Sequence, residues 1–193
     1  MRANPFAGTY FGGSMLIAFN KPMNVLSQFT SEGGWPALDG FNLPKGVYAA
    51  GRLDRDSEGL LLLTDDGRLQ ARISSPKFKK PKVYYALVEG VPDDDMLKKL
   101  ENGVRLKDGQ TAPCKAENVP TPDWLWPREP PVRIRKSITD TWVKLTLSEG
   151  KNRQVRRMCA AVGFPVIRLV RHSIGPHDLT DLAPGQWCEV TGI

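Results

Sequence analysis

Apolar residues along this chain gather in short blocks rather than in long amphipathic repeats. Met15-Leu16-Ile17-Ala18-Phe19 is an unbroken apolar run of strand length, closed by Asn20-Lys21-Pro22, where proline removes a ladder donor. Val47-Tyr48-Ala49-Ala50 and Leu60-Leu61-Leu62-Leu63 predict two further buried strands. Val83 to Val88 is rich in strand formers, and Trp142 to Leu147 approximates the alternation of a half-buried strand. Val104 to Leu106, a turn at Asp108-Gly109 and the residues from Thr111 onward predict a hairpin, and Val166–Val170 and Trp187–Thr191 supply closing strands.

Three segments carry helical signals. Asp65-Asp66-Gly67 opens the first, with both acids placed to serve it, and Ser74-Ser75-Pro76 ends it. Pro92 and three aspartates open the second, which carries Met96, Leu97 and Leu100 on one face and ends at Gly103. Asn152 is placed to cap the third. Its apolar face is Val155, Met158, Cys159 and Val162, with Arg153 and Arg157 opposite and Arg156 on the flank. Pro120 to Pro131 holds five prolines with Trp124 and Trp126, a long irregular loop whose tryptophans serve equally well as loop anchors or as stacking surfaces for bases. Many short strands with few helices predict an α+β fold, a mostly antiparallel mixed sheet with flanking helices. Residues 1–14 read as a disordered arm, and 15–193 as one domain of two lobes sharing a sheet.

Composition changes this picture little. The chain has 193 residues, 40% hydrophobic and 25% charged, ordinary for a soluble globular protein. No apolar run approaches the ~18 residues of a membrane span, and no signal peptide is visible, which predicts a cytoplasmic protein without a membrane partner. Cys114, Cys159 and Cys188 are far apart and the histidines are only His172 and His177, so no metal site is expected.

Charge placement is more informative. Lys151, Arg153, Arg156, Arg157, Arg168 and Arg171 fall within residues 151–177 without a single acid, in a chain of net charge +6. Lys77, Lys79, Lys80 and Lys82 form a second local excess. A compact basic surface on an otherwise balanced body is the footprint of a polyanion such as RNA.

The acids concentrate elsewhere, in Gly51-Arg52-Leu53-Asp54-Arg55-Asp56-Ser57-Glu58-Gly59-Leu60. Carboxylates are rarely drawn among leucines unless paired or functional. A calcium loop fits poorly: the twelfth position is Asp65 rather than a bidentate Glu, and Leu60–Leu63 reads as strand. A glycosidase pair also fits poorly, because Asp54 and Asp56 on an extended segment point to opposite faces. Asp56 and Glu58 are better read as structural, one a turn former and the other a partner of an arginine.

This stretch resembles the central motif of the pseudouridine synthases of the RsuA/RluB/RluE/RluF group. Asn20-Lys21-Pro22, Lys82-Val83-Tyr84, Glu149 to Met158, and Arg168-Leu169-Val170-Arg171 with Ile174-Gly175 resemble the group's other motifs, in the same order. The segment 118–137 is most similar to the RluE branch. The resemblance implies a synthase fold with a central RNA-binding cleft and the cofactor-free isomerisation of a uridine in 23S ribosomal RNA, carried out by a monomer. It implies Asp54 as catalytic residue, supported by Tyr84, Arg156 and Arg52, with Arg156 as the basic partner that keeps Asp54 ionised. It implies RNA contacts from Lys21, Lys80, Lys82, Lys151, Arg153, Arg157, Arg168 and Arg171. Longer relatives carry a small N-terminal RNA-binding module, which residues 1–14 are too short to supply. The alternative is a noncatalytic ribosomal-RNA-binding protein or assembly factor on the same fold.

Overall fold

The computed structural model describes residues 13–78, 80–132, 139–179 and 181–192, so most of the expected N-terminal arm, with Lys79, lies outside the described residues. The strands are β1 (Leu16–Lys21), β2 (Tyr48–Ala49), β3 (Glu58–Thr64), β4 (Lys82–Glu89), β5 (Arg105–Leu106), β6 (Gly109–Gln110), β7 (Lys115–Val119), β8 (Asp140–Leu147), β9 (Val166–Ile174), β10 (His177–Asp178) and β11 (Trp187–Glu189). The helices are α1 (Gly67–Ser74), α2 (Asp94–Glu101) and α3 (Gln154–Ala161). One mixed sheet runs in the order β11-β1-β3-β9-β4-β8-β7, with β2 beside β3 and β10 beside β9, and β5 and β6 form a separate hairpin.

The leucine run is continuous because both faces of β3 are covered. Leu60 and Leu62 join a core with Val170 and Ile174, while Leu61 and Leu63 join one with Ile17, Phe19 and Leu38. All four leucines are fully buried, each contributing about 1.5–3 kcal/mol. A third core lies where β4 and β8 meet α2 and α3, around Ala86, Val143, Leu145, Val155 and Met158. Every pairing along the sheet is antiparallel except β3 with β9, which is parallel and matches Glu58 with Val170 and Gly59 with Arg171. Gly59 is required at that junction. Its φ is +107°, and a Cβ there would stand 2.3 Å from the Arg171 carbonyl oxygen.

Several local expectations change. β1 runs through Lys21, paired with Gly59, instead of stopping at Asn20. β9 continues to Ile174, its polar Arg171, His172 and Ser173 having hidden the strand pattern. The edge strand β7 has too little apolar alternation to be distinguished from the hairpin before it. Asp66 caps α1, accepting from Arg68 N (2.7 Å) and Leu69 N (3.2 Å), but Asp65 does not serve the helix: it accepts from Met15 N at 2.7 Å. Asn152 does not cap α3. Arg153 holds that position with φ 47° and no side-chain cap, and Gln154 Oε1 accepts from Lys151 N at 2.8 Å instead. No helix among the described residues is long and apolar enough to cross a membrane.

Candidate active site

The segment between β2 and β3 is fastened at five consecutive carbonyls. Arg171 Nη1 donates to Arg52 O (3.0 Å), Ser27 Oγ to Leu53 O (2.6 Å) and Ser57 N to Asp54 O (3.0 Å). Asn24 N donates to Arg55 O (2.8 Å), and Arg156 Nη2 to Asp56 O (2.6 Å). Leu53 also anchors the segment from below, being buried with Leu61 and Leu63. A loop with each carbonyl satisfied presents its side chains in one arrangement, which is what preorganised chemistry requires.

Asp54 is presented at an open cleft of ≈ 400 Å³, lined also by Arg52, Lys82, Tyr84, Lys151, Arg153 and Arg171. Its side chain is 34% exposed, with Arg153 Nη1 3.6 Å from Oδ2. Tyr84 on β4 sits opposite Arg171 on β9, and both residues line the cleft. Lys82, two residues earlier, has its ammonium pKa lowered by burial and then by Arg171.

The structure separates the basic residues into two groups. Arg156, expected beside Asp54, is not among the cleft-lining residues. It donates to Asp56 O, to Val166 O (3.2 Å) and to Ser57 Oγ (3.5 Å), and its Nε lies 3.6 Å from Asp56 Oδ2. Burial lowers its pKa, the cost of a mostly enclosed guanidinium. The arginine near Asp54 is instead Arg153, whose left-handed backbone at the helix entrance swings its side chain across to make two 2.8 Å hydrogen bonds to Asp56. Those bonds hold the Asp56 carboxyl below the usual carboxylate range.

Three residues expected to touch RNA are buried and engaged by protein partners. Lys21 is fully buried, donating to Pro22 O (2.9 Å) and Val25 O (2.8 Å), and burial followed by Arg171 lowers its pKa to about 7. Arg168 is buried against Glu58, Nε to Oε2 at 2.8 Å and Nη2 to Oε1 at 3.0 Å. Arg171 is 5% exposed, and its Nε donates to Leu60 O at 2.7 Å, so it holds backbone at the cleft wall. Arg157 lies at the surface but is engaged by Asp108 through two hydrogen bonds of 2.7 and 3.1 Å. Lys151 remains at the cleft, with Nζ on Gln110 O at 2.8 Å, and Lys80 is half-buried ahead of β4.

Asp56 and Glu58 are both arginine partners. Trp126 donates to Glu58 Oε1 at 2.8 Å, and Trp124 packs 5.0 Å from Tyr85 and 4.7 Å from His172, so both tryptophans anchor the proline-rich loop. Ser27 and Asn24 escaped the sequence reading. They lie in an aperiodic stretch, and their role depends on a loop about thirty residues away.

Residues 15–161 match a family model described as RNA pseudouridylate synthase. A relative from Vibrio parahaemolyticus, named ribosomal large subunit pseudouridine synthase E, is 54% identical over 175 residues, covering 91% of this chain and 73% of the relative. One of the same name from Xanthomonas campestris is 53% identical over 175 residues, 90% of this chain and 94% of the relative. A solved pseudouridylate synthase superposes with a TM-score of 0.75 at 30% identity, over 95% of this chain and 73% of that one. The chain therefore belongs to the RNA pseudouridylate synthase family and is an RNA pseudouridine synthase.

Proposed function

We propose that this enzyme converts one specific uridine of large-subunit (23S) ribosomal RNA to pseudouridine, with Asp54 as the nucleophile or base acting on a flipped-out nucleotide, as a cytoplasmic monomer without a cofactor. The observation that carries the reading is the placement of Asp54: a carboxylate on a loop fixed at five carbonyls, opening into a cleft with Tyr84 and several cations. A protein that only bound RNA would gain nothing from a carboxylate aimed at a polyanion. The relatives named as large-subunit synthases support the choice of RNA.

In the reaction the glycosidic N1–C1′ bond breaks, the uracil turns, C5 bonds to C1′, and the C5 proton leaves while N1 gains one. Asp54 serves as the group that attacks or removes the proton. Arg153 Nη1 lies 3.6 Å from its Oδ2 and places a positive charge beside the reacting carboxylate. Tyr84 offers a flat surface to the freed uracil and a hydroxyl as donor or acceptor. Extruding the nucleotide costs a few kcal/mol, offset by phosphate contacts from cations around the cleft, Lys151 among them. Carbodiimide mapping of pseudouridine in 23S rRNA, from cells with and without this gene, tests the proposal. Loss of one modified site supports it, and an unchanged 23S map rules it out.

A further inference from the structure

Trp35 is stacked with Arg55, the residue after Asp54, outside the set of residues that line the cleft. Among the described residues Trp35 is 40% exposed and Phe29 36%, with Phe78, Val91 and Trp124 the other exposed large hydrophobics. The Arg55 guanidinium lies over the Trp35 ring, its Cζ 3.7 Å from the centroid. Arg55 is the residue immediately after Asp54. Its backbone carbonyl is held by Asn24 N at 2.8 Å, and its Nη1 donates to Asn24 Oδ1 at 3.3 Å.

A loop anchor would explain an exposed tryptophan only if the loop lacked other anchors, and this loop has them. Val25, Ala37 and Leu38 are 3%, 1% and 0% exposed. Leu26 N bonds Pro36 O (2.9 Å), Leu38 N bonds Gln28 O (2.8 Å) and Trp35 N bonds Glu32 O (3.0 Å). The backbone is thus closed around its own core, and the Trp35 ring is held outward on a rigid support. One face carries the guanidinium, and the residue is still 40% exposed.

The geometry points to Trp35, with Arg55 stacked on it, as a platform that receives a nucleobase adjacent to the target uridine. This rests on the proposed reaction at Asp54. Three observations converge on a base as the ligand. The platform is aromatic and open, so it suits any base's π-face. Arg55 adds a cation that both stacks and attracts phosphate. The platform is also tied through one peptide to the residue that must meet the extruded uridine. Extruding that uridine unstacks its neighbours, and a protein ring stacked on the residue next to Asp54 replaces the lost stacking partner.

The test uses the full chain with an RNA transcript spanning the mapped uridine, and the same RNA made with an abasic residue at each flanking position. Trp35→Ala should lower kcat/KM about ten- to hundredfold, mainly through KM, while Trp35→Phe keeps most activity. Wild type should lose a similar factor on one abasic RNA, and Trp35→Ala should lose nothing further on it. The proposal is overturned if Trp35→Ala turns over intact RNA like wild type, or if its defect is as large on every abasic RNA as on intact RNA. Should Trp35→Ala fail to fold, wild type on the abasic RNAs together with Trp35→Phe decides: indifference of wild type to both flanking bases overturns the platform. A wild-type enzyme that forms no pseudouridine on intact RNA defeats the proposed reaction itself, which is a distinct outcome.

Discussion

Arg156 reaches across 100 residues of sequence to donate from Nη2 to the backbone carbonyl of Asp56 at 2.6 Å. It donates to the loop that carries Asp54, and the charge of Asp54 also reaches it through space. Charged hydrogen bonds of this kind are worth about 1.5–3 kcal/mol, and their loss also strands a carbonyl.

Arg156→Ala should therefore lower kcat at least tenfold while RNA affinity stays within a few-fold, with a thermal midpoint reduced by several degrees. Single-turnover kinetics beside a binding titration check this. A defect confined to affinity would assign Arg156 to phosphate contact instead.

Arg168 and Glu58 form an ion pair with side chains only 6% and 2% exposed. Arg168→Ala leaves a buried carboxylate unpaired and should destabilise the fold by about 3–5 kcal/mol, whereas Glu58→Leu combined with Arg168→Met should recover most of that loss. Denaturant unfolding of the three proteins decides. Equal destabilisation by the single and double variants would mean the pair is not the source.

The salt dependence of RNA binding separates surface cations from structural ones. Neutralising Lys151, which lines the cleft, should reduce the log–log salt slope by about 0.7–0.9. Neutralising buried Arg168 should leave the slope unchanged in protein that remains folded. The opposite pattern would move the RNA path away from the cleft.

Lys21 gives a pH signature. Burial holds its folded pKa at about 7, far below an unfolded lysine near 10.5. Between those values the unfolded chain binds a proton that the folded chain lacks, so this residue makes stability rise with pH. Below about pH 7 both states are protonated and the cost of burying the ammonium is full. Relative to Lys21→Met, wild type should gain up to about 1.4 kcal/mol per pH unit between pH 7.5 and 9.5. Parallel stability curves across that range would contradict the buried, neutralised lysine.

Much of this was legible in the chain. The motif around Asp54 is what marks the family, and Asp56 and Glu58 read as structural because arginines are available to pair with them. The helix faces followed from 3.6-residue periodicity. What escaped was set by distance or by a single backbone angle. Lys21, Arg168 and Arg171 look like RNA contacts by charge alone, yet their partners are backbone carbonyls and a glutamate that only the fold brings near. Arg153 looked like an outward-facing helix residue, but its left-handed φ at the helix entrance turns it toward Asp54 and Asp56.

In the proposed reaction one carboxylate, Asp54, performs the isomerisation while the surrounding residues hold it and the RNA. The most direct measurement is pseudouridine mapping of 23S rRNA from cells lacking the gene and complemented with either wild type or Asp54→Asn, beside RNA-binding titrations of both proteins. The account predicts that wild type restores the missing site and Asp54→Asn does not, with RNA affinities within a few-fold of each other. Restoration of the site by Asp54→Asn would contradict it.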